Sequence, residues 1–292
     1  MKDLSFVHAP INDLFSFEDL KTDWKQYKLS QDQLNHFEEF GYVAGVKVLE
    51  PEHISILREE LQHIFDMNES EQGLFYEYYS NESGNPDTTL FHALGAWRVF
   101  PGFHDILWNP SILVPAMQLL KGDVRFWHDQ LFCKPAKHGG VVAWHQDYSY
   151  WTRSKPMQHL TCWMGLDDAT LENGCMHYIP GSHKWDLLDM PELGGDMDKI
   201  LDYLDEKQQA DFKPVPIELK QGYATFHHPL LVHGSYENHS ERPRRGVVLN
   251  YFKDGTFSDT DEPLLPGTPS IKRGNPIEGQ FYPKLLSVDQ LI

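Results

Sequence analysis

The segment VVAWHQD, residues 141–147, is short and rich in β-branched and aromatic residues, which is typical of a β-strand. It is one of seven such segments that follow one another from about residue 124, with turn residues between them. The other six are DVRFWHDQLFCKP (123–135), HLTCWMGLDD (159–168), CMHYIPGS (175–182), KPVPIELKQG (213–222), YATFHHPLLVHGS (223–235) and RRGVVLNYF (244–252). Together they predict an antiparallel sandwich or barrel over residues 124–253.

Two smaller patterns lie within this β-rich part. The acidic segment 196–212 predicts a helical insertion between strands. The Asn-Gly pair in ENGC (172–175) predicts a tight hairpin.

The patterns before and after the β-rich part differ from it. Residues 30–122 predict mainly helices, because Ser30 fits an N-cap and Pro51 fits the first turn of a second helix. Residues 255–292 hold five prolines and little periodicity, so we expect a loop-rich lid there. With no linker or repeat between these parts, we expect a single domain over residues 1–292.

The composition excludes some classes of partner. The chain of 292 residues carries 43 acidic and 25 basic side chains, a formal net charge of −18, and such a surface repels nucleic acid and anionic lipid. The first residues lack the pattern of a signal peptide, and no apolar stretch is long enough to span a bilayer. Three cysteines without paired spacing fit a reducing compartment. We therefore predict a cytoplasmic protein without nucleic-acid or membrane partners.

His145 and Asp147 are candidate metal ligands. On a strand, residues two apart face the same side with Cα atoms about 6.6 Å apart, so an imidazole and a carboxylate can converge on one ion. His233, after a strand-like apolar run, is the candidate third ligand. Two histidines and one carboxylate leave coordination positions open, as in non-haem Fe(II) oxygenases. The alternative is a histidine and an aspartate near a sheet rim, one hydrogen-bonded and the other solvated.

Arg244 follows His233 by eleven residues, at the start of the next predicted strand. A buried guanidinium there can hold a carboxylate of a co-substrate through two hydrogen bonds. The alternative is a surface arginine beside Glu241. Arg244 and Arg245 point to opposite faces of a strand, and alternation alone does not choose between them.

The sequence resembles the phytanoyl-CoA dioxygenase family of Fe(II)/2-oxoglutarate-dependent oxygenases. The resemblance extends over about residues 30 to 253, and the segments that carry it are WHQD (144–147), TCWMGLDDATLENGCMHYIPGSHK (161–184), HPLLVHGS (228–235) and RPRRGVVLNY (242–251). It implies a mainly β fold with flanking helices, a double-stranded β-helix or jelly roll. It also implies hydroxylation or another oxidation of a C–H bond of a small molecule, with conversion of 2-oxoglutarate and O₂ to succinate and CO₂.

The resemblance also assigns roles to individual residues. His145, Asp147 and His233 match the family's iron ligands, and Arg244 matches the arginine that holds the distal carboxylate of 2-oxoglutarate. The remaining matches to the co-substrate pocket are Ser235, which assists the arginine, Trp163, which lines the pocket, and Gln130 on the preceding strand. Because Asp147 fills the position at which related halogenases carry a small residue, the resemblance implies oxygen insertion.

The substrate is predicted only as a small metabolite. Aromatic residues crowd the triad, and Arg98, Lys134 and Lys137 are candidate contacts for an acidic substituent, although surface solvation is the commoner use of such residues. Two other functions remain open: a non-catalytic jelly-roll protein that binds a metal or small ligand, and an oxygenase acting on a protein side chain. The sequence makes no prediction of the oligomeric state.

Overall fold

The computed structural model describes residues 2–15, 24–188 and 195–290. In these residues two antiparallel sheets face each other, and most of the helices pack outside the larger sheet. The strands are β1 (Tyr42–Lys47), β2 (Glu77–Tyr79), β3 (Phe91–Leu94), β4 (Val124–Lys134), β5 (Val142–His145), β6 (Ser154–Lys155), β7 (His159–Gly165), β8 (Met176–Tyr178), β9 (Val215–Ile217), β10 (Tyr223–His227), β11 (His233–Ser235), β12 (Arg244–Lys253), β13 (Phe257–Ser258) and β14 (Lys284–Leu286). The α-helices are α1 (Gln31–Phe40), α2 (Pro51–Phe65), α3 (Pro101–Asp105), α4 (Pro110–Leu120) and α5 (Glu206–Asp211).

The large sheet has the strand order β1-β10-β7-β12-β4-β3-β2, with β14 paired to β4, and the small sheet has the order β5-β11-β8-β9. Their inner faces meet in a core that contains Trp163 and Val248 from the large sheet and Val142 and Met176 from the small one. This arrangement is the predicted double-stranded β-helix, and the prediction of the fold class is confirmed.

The helices cover the outer face of the large sheet. Ser30 caps α1 through a reciprocal pair of hydrogen bonds with Gln33, and Pro51 is the first residue of α2, as predicted. The buried side chains of α2, Ile54, Leu57, Leu61 and Ile64, recur at helical spacing and join one core with outward residues of β4, β7 and β12. The predicted insertion at 196–212 forms a 3₁₀ helix (Met197–Tyr203) and α5, and the 3₁₀ helix packs on the outside of the small sheet.

The segment 30–122 is mainly helical, as expected, but it also contains strands that the sequence did not predict. Strands β1, β2 and β3 lie in it and extend the large sheet at both ends. Their short length explains the error, because three to six residues are too few for alternation to stand out from neighbouring helical patterns.

The Asn-Gly pair of ENGC does not form the predicted hairpin. Strands β7 and β8, on either side of it, belong to different sheets. Asn173 instead organises a crossing loop, in which its side chain accepts from the Thr170 amide at 2.7 Å and donates to the Asp168 carbonyl at 2.7 Å. Gly174 has φ +79°, and a Cβ there would lie 2.4 Å from the Tyr236 carbonyl oxygen, so the loop requires glycine.

Candidate active site

The three predicted metal ligands meet at the centre of the molecule. His145 ends β5 and His233 begins β11, and the two residues are direct partners in the antiparallel register of the small sheet. Asp147 does not lie on a strand, because β5 stops at His145 and a 3₁₀ helix (Asp147–Tyr150) begins there. Gln146 between them is extended, so His145 and Asp147 still face the same side. One donor atom from each of the three lies within 4.8 Å of the others.

The two histidines are held in the tautomer that a metal requires. Nδ1 of His145 donates to the Ala143 carbonyl at 2.8 Å, and Nδ1 of His233 donates to the Leu231 carbonyl at 2.8 Å. Nε2 of each ring is therefore the nitrogen left for a metal, and it faces Oδ1 of Asp147 at 3.5 Å from His145 and at 3.6 Å from His233. Two imidazole nitrogens and one carboxylate oxygen, all buried, fit a 2-His-1-carboxylate iron site.

The second oxygen of Asp147 is fixed by two residues that the sequence analysis did not identify. Oδ2 accepts from the Thr161 hydroxyl at 2.6 Å and from Nε2 of His227 at 3.0 Å. His227 in turn contacts the Tyr178 hydroxyl through Nδ1 at 3.0 Å. Thr161 and His227 are register partners on β7 and β10, so a correct strand alignment would have placed them together.

Charge and burial act in opposite directions at this centre. Burial raises the pKa of Asp147, but contacts with His233, His145 and His227 outweigh burial and hold the pKa well below its usual value. Burial, followed by repulsion from His145, lowers the pKa of His233. An ionised carboxylate beside a neutral imidazole is the protonation state in which both bind a metal.

The predicted co-substrate residues line a narrow cavity that reaches the triad. Arg244 is 1% exposed, and its Nε and Nη1 have no hydrogen-bond partner in the described part of the chain. Its Nη2 approaches Oγ of Ser235 at 3.4 Å, and its guanidinium lies 5.4 Å from the ring centre of Trp163. Buried donors without partners cost free energy, so this pocket fits an anionic ligand such as the distal carboxylate of 2-oxoglutarate.

The structure distinguishes the two neighbouring arginines. Arg245 points to the other face of β12, where its guanidinium binds Asp167 through two hydrogen bonds of 2.8 and 2.6 Å. Only Arg244 of the two lines the cavity. Gly246 leaves room beside it, since a Cβ there would lie 2.9 Å from the Trp163 indole.

Lys134 is not on the surface, as the commoner use of lysine suggested, but fully buried beside Arg244. Its Nζ donates to Oγ of Ser235 at 2.7 Å and to the Tyr236 carbonyl at 2.5 Å. Burial, with repulsion from Arg244, lowers its pKa well below the usual value for lysine. Because the Ser235 oxygen accepts from Lys134, the Ser235 hydroxyl proton is left to donate to a ligand in the cavity.

A second and larger cavity, of about 280 Å³, adjoins the first. Gln130 and Phe132 of β4 line both cavities, as do His145 and Asp147. Residues 264–266, from the segment predicted to form a lid, contribute to its wall. A molecule in the second cavity therefore lies next to the metal ligands.

A family model described as Phytanoyl-CoA dioxygenase (PhyH) matches residues 37–246. The chain belongs to the phytanoyl-CoA dioxygenase family. A probable phytanoyl-CoA dioxygenase of Caenorhabditis elegans is 25% identical over 231 residues, which cover 77% of this chain and 69% of that protein. A methylphosphonate hydroxylase of Gimesia maris is 27% identical over 228 residues, 76% of this chain and 80% of that protein.

The fold of this phytanoyl-CoA dioxygenase family member recurs in solved structures. The epimerase SnoN, solved with Fe³⁺, alpha ketoglutarate and nogalamycin RO, superposes with a TM-score of 0.71 at 19% identity, over 88% of this chain and 98% of that one. Family membership and the histidine–aspartate–histidine cluster make the protein a non-haem iron dioxygenase that uses Fe(II) and 2-oxoglutarate, as predicted. No helix in the described ranges has the length and apolar character to cross a bilayer.

Proposed function

We propose that the enzyme oxidises a C–H bond of a small molecule bound in the second cavity, and converts 2-oxoglutarate and O₂ to succinate and CO₂. His145, Asp147 and His233 hold the iron on one side. The convergence of two Nε2 atoms on one buried carboxylate oxygen, with each Nδ1 bonded to a backbone carbonyl, is the observation that carries this proposal. Bound Fe(II) supplies the redox chemistry, and the protein supplies geometry and a site shielded from water.

In this proposal Arg244 binds the distal carboxylate of 2-oxoglutarate through its two unpartnered nitrogens, and Ser235 donates a further hydrogen bond. Trp163 packs against the guanidinium and closes one side of the pocket. Gln130 lies where the co-substrate and substrate cavities join, so its amide is available to either molecule.

The two alternative functions are less well supported. A protein that only binds a metal would have no need of a buried arginine with free donors. A solvent-exposed Arg244 would favour that function, but Arg244 is only 1% exposed. An enzyme acting on a protein side chain would favour a wide groove, whereas residues 264–266 form part of the wall of the second cavity. We further propose a cytoplasmic location, which the three free, buried cysteines support.

The proposal is tested by succinate formation from 2-oxoglutarate in the presence of Fe(II) and O₂. We expect turnover by the unchanged protein and none by His145→Ala or Asp147→Ala. His239→Ala, at a histidine whose side chain is 71% exposed, is the matched control and should behave like the unchanged protein. Normal turnover by either ligand variant would refute the assignment of the iron site.

A further inference from the structure

The second cavity is lined by two carboxylates besides that of Asp147, Glu77 and Glu82, which we call its acidic floor. Glu77 of β2 pairs with Leu94 of β3, and both residues line the cavity, as does His92. His92 of β3 pairs with Phe132 of β4, and their rings stack at 4.2 Å. Strands β2 and β3 therefore extend the large sheet beyond β4 and bring a carboxylate into the lining of the second cavity.

The carboxylate of Glu77 has the His92 imidazole as a neighbour but no arginine or lysine partner in the described ranges. Its side chain makes no hydrogen bond or ion pair with those residues. A second carboxylate, Glu82, lines the same cavity and contacts Nδ1 of His92 at 2.5 Å. Burial raises the pKa of Glu77; His92 opposes the rise, and Glu82 adds to it. Because His92 contacts Glu82, Glu77 is the carboxylate of the two without an ion pair, and a carboxylate that faces a cavity in this way favours a cation in it.

Arg153 is the one lysine or arginine among the described residues that line this cavity. Its Nη1 donates to the Pro263 carbonyl at 2.8 Å and its Nη2 to the Leu264 carbonyl at 3.0 Å. Its side chain therefore ties the 263–266 segment to the wall, and its exposure to solvent screens its charge. It does not offset the two carboxylates.

Aromatic rings form much of the remaining wall. Trp127 and Trp151 are 2% and 5% exposed, and Tyr150 lies beside them. Indole and phenol rings attract cations through their faces, most strongly where water is excluded. Nε1 of Trp127 has no hydrogen-bond partner among the described residues, so an occupant with an acceptor oxygen would satisfy a buried donor.

From this combination of Glu77, Glu82, Trp127, Trp151 and Tyr150 around a cavity beside the iron centre, we propose that the substrate is a small organic cation with an ammonium group and a hydroxyl or similar oxygen. The inference rests on the proposed function, because it takes the second cavity as the substrate site. The ammonium group lies between the carboxylate of Glu77 and the aromatic wall, which leaves the other end of the molecule toward the triad. A cationic substrate would differ from the anion named in the description of the methylphosphonate hydroxylase relative.

Two matched pairs of probes test the charge preference directly. Choline is compared with its uncharged isostere 3,3-dimethylbutan-1-ol, and 4-aminobutan-1-ol with butane-1,4-diol; methylphosphonate is the anionic probe. Binding is measured by anaerobic calorimetry on the Fe(II)-loaded enzyme, with and without 2-oxoglutarate. We expect at least one cation to bind about tenfold more tightly than its neutral partner, the ratio that one partly desolvated charge contact gives.

Substitutions test whether the acidic floor of the cavity causes the preference for a cation. Glu77→Gln, which keeps the shape and removes the charge, should erase the difference between cation and isostere and leave 2-oxoglutarate affinity unchanged. Glu82→Gln is a second variant in case the first does not fold, and it should reduce the difference in affinity between the cation and its isostere. Glu59→Gln, on the exposed side of α2, is the control and should retain it.

The outcomes separate the two proposals. If neither cation binds more tightly than its neutral partner, or if methylphosphonate binds more tightly than both cations, the cationic substrate is refuted while the iron site stands. If 2-oxoglutarate fails to bind or to turn over, the proposed function is refuted, and the titrations without 2-oxoglutarate still decide the charge preference of the cavity.

Discussion

Replacing Thr161 with valine tests the support of the carboxylate ligand without touching the ligands. The Thr161 hydroxyl donates to Oδ2 of Asp147 at 2.6 Å, and the other oxygen of the carboxylate, Oδ1, faces the two histidines. Valine has nearly the same shape, so the change removes one hydrogen bond to a charged group and adds no cavity. His227 remains as the second donor to Oδ2.

The expected magnitude follows from that single contact. A hydrogen bond to a charged group contributes about 1.5–3 kcal/mol. Losing it frees the carboxylate to rotate away from the metal-binding geometry, which corresponds to metal affinity weaker by about tenfold to a hundredfold. The measurement is calorimetric titration of the apoprotein with Fe(II) under anaerobic conditions.

Thr256→Val is the matched control. Thr256 follows β12, is fully buried, and donates to the Lys253 carbonyl at 2.8 Å, so the same substitution removes a buried hydrogen bond at a site that has no hydrogen bond to Asp147 or to its partners. It should lower stability while leaving Fe(II) affinity unchanged. Equal Fe(II) affinities for Thr161→Val and the unchanged protein would refute the role given to the outer carboxylate oxygen.

Three further predictions concern residues of β12 and their contacts. Arg244→Lys replaces a guanidinium that can form two hydrogen bonds by a single ammonium group. The loss of about one hydrogen bond to a charged group, about 1.5–3 kcal/mol, should raise the KM for 2-oxoglutarate roughly tenfold to a hundredfold and leave Fe(II) affinity unchanged. An unchanged KM would show that Arg244 does not bind the co-substrate. Gly246→Ala places a Cβ 2.9 Å from the Trp163 indole and should lower the free energy of unfolding by about 1–3 kcal/mol, measured with urea; full stability would show that the indole moves freely. Burial raises the pKa of Asp167, but hydrogen bonds and charge from Arg245 lower it by more, so the pKa is lower in the folded protein than in the unfolded chain. The stability that this pair contributes is therefore lost as the pH falls below about 4. Asp167→Asn should lack that part of the acid-side decline in urea unfolding, and identical pH profiles would contradict the contribution of the pair.

The sequence was informative where residue chemistry is local. The cap at Ser30, the proline start at Pro51 and most strand segments after residue 124 depend on neighbouring residues, and these predictions are confirmed. The segment 223–235 was wrong as a single strand, because it divides into β10 of the large sheet and β11 of the small one. The family resemblance supplied the ligand set, and the structure brings His145, Asp147 and His233 together.

What the sequence could not supply depends on contacts between distant strands. Thr161 and His227 support Asp147 because β7 and β10 align in one register, which no short pattern encodes. Lys134 looked like a surface residue because lysine usually is one, and only the pairing of β4 with β12 shows that it lies beside Arg244. The position of Glu77 depends on two short strands, β2 and β3, which lie between helical patterns in the sequence.

In the proposed iron site, the pairing of His145 with His233 across the small sheet makes metal binding depend on how β5 and β11 align. A shift of β11 by one residue against β5 would turn His233 to the opposite face and leave a single imidazole at the site. If both histidines hold the ion as proposed, metal binding stabilises one alignment of two segments that are distant in the chain. Removing iron should then weaken the pairing of β5 with β11 as well as stop catalysis.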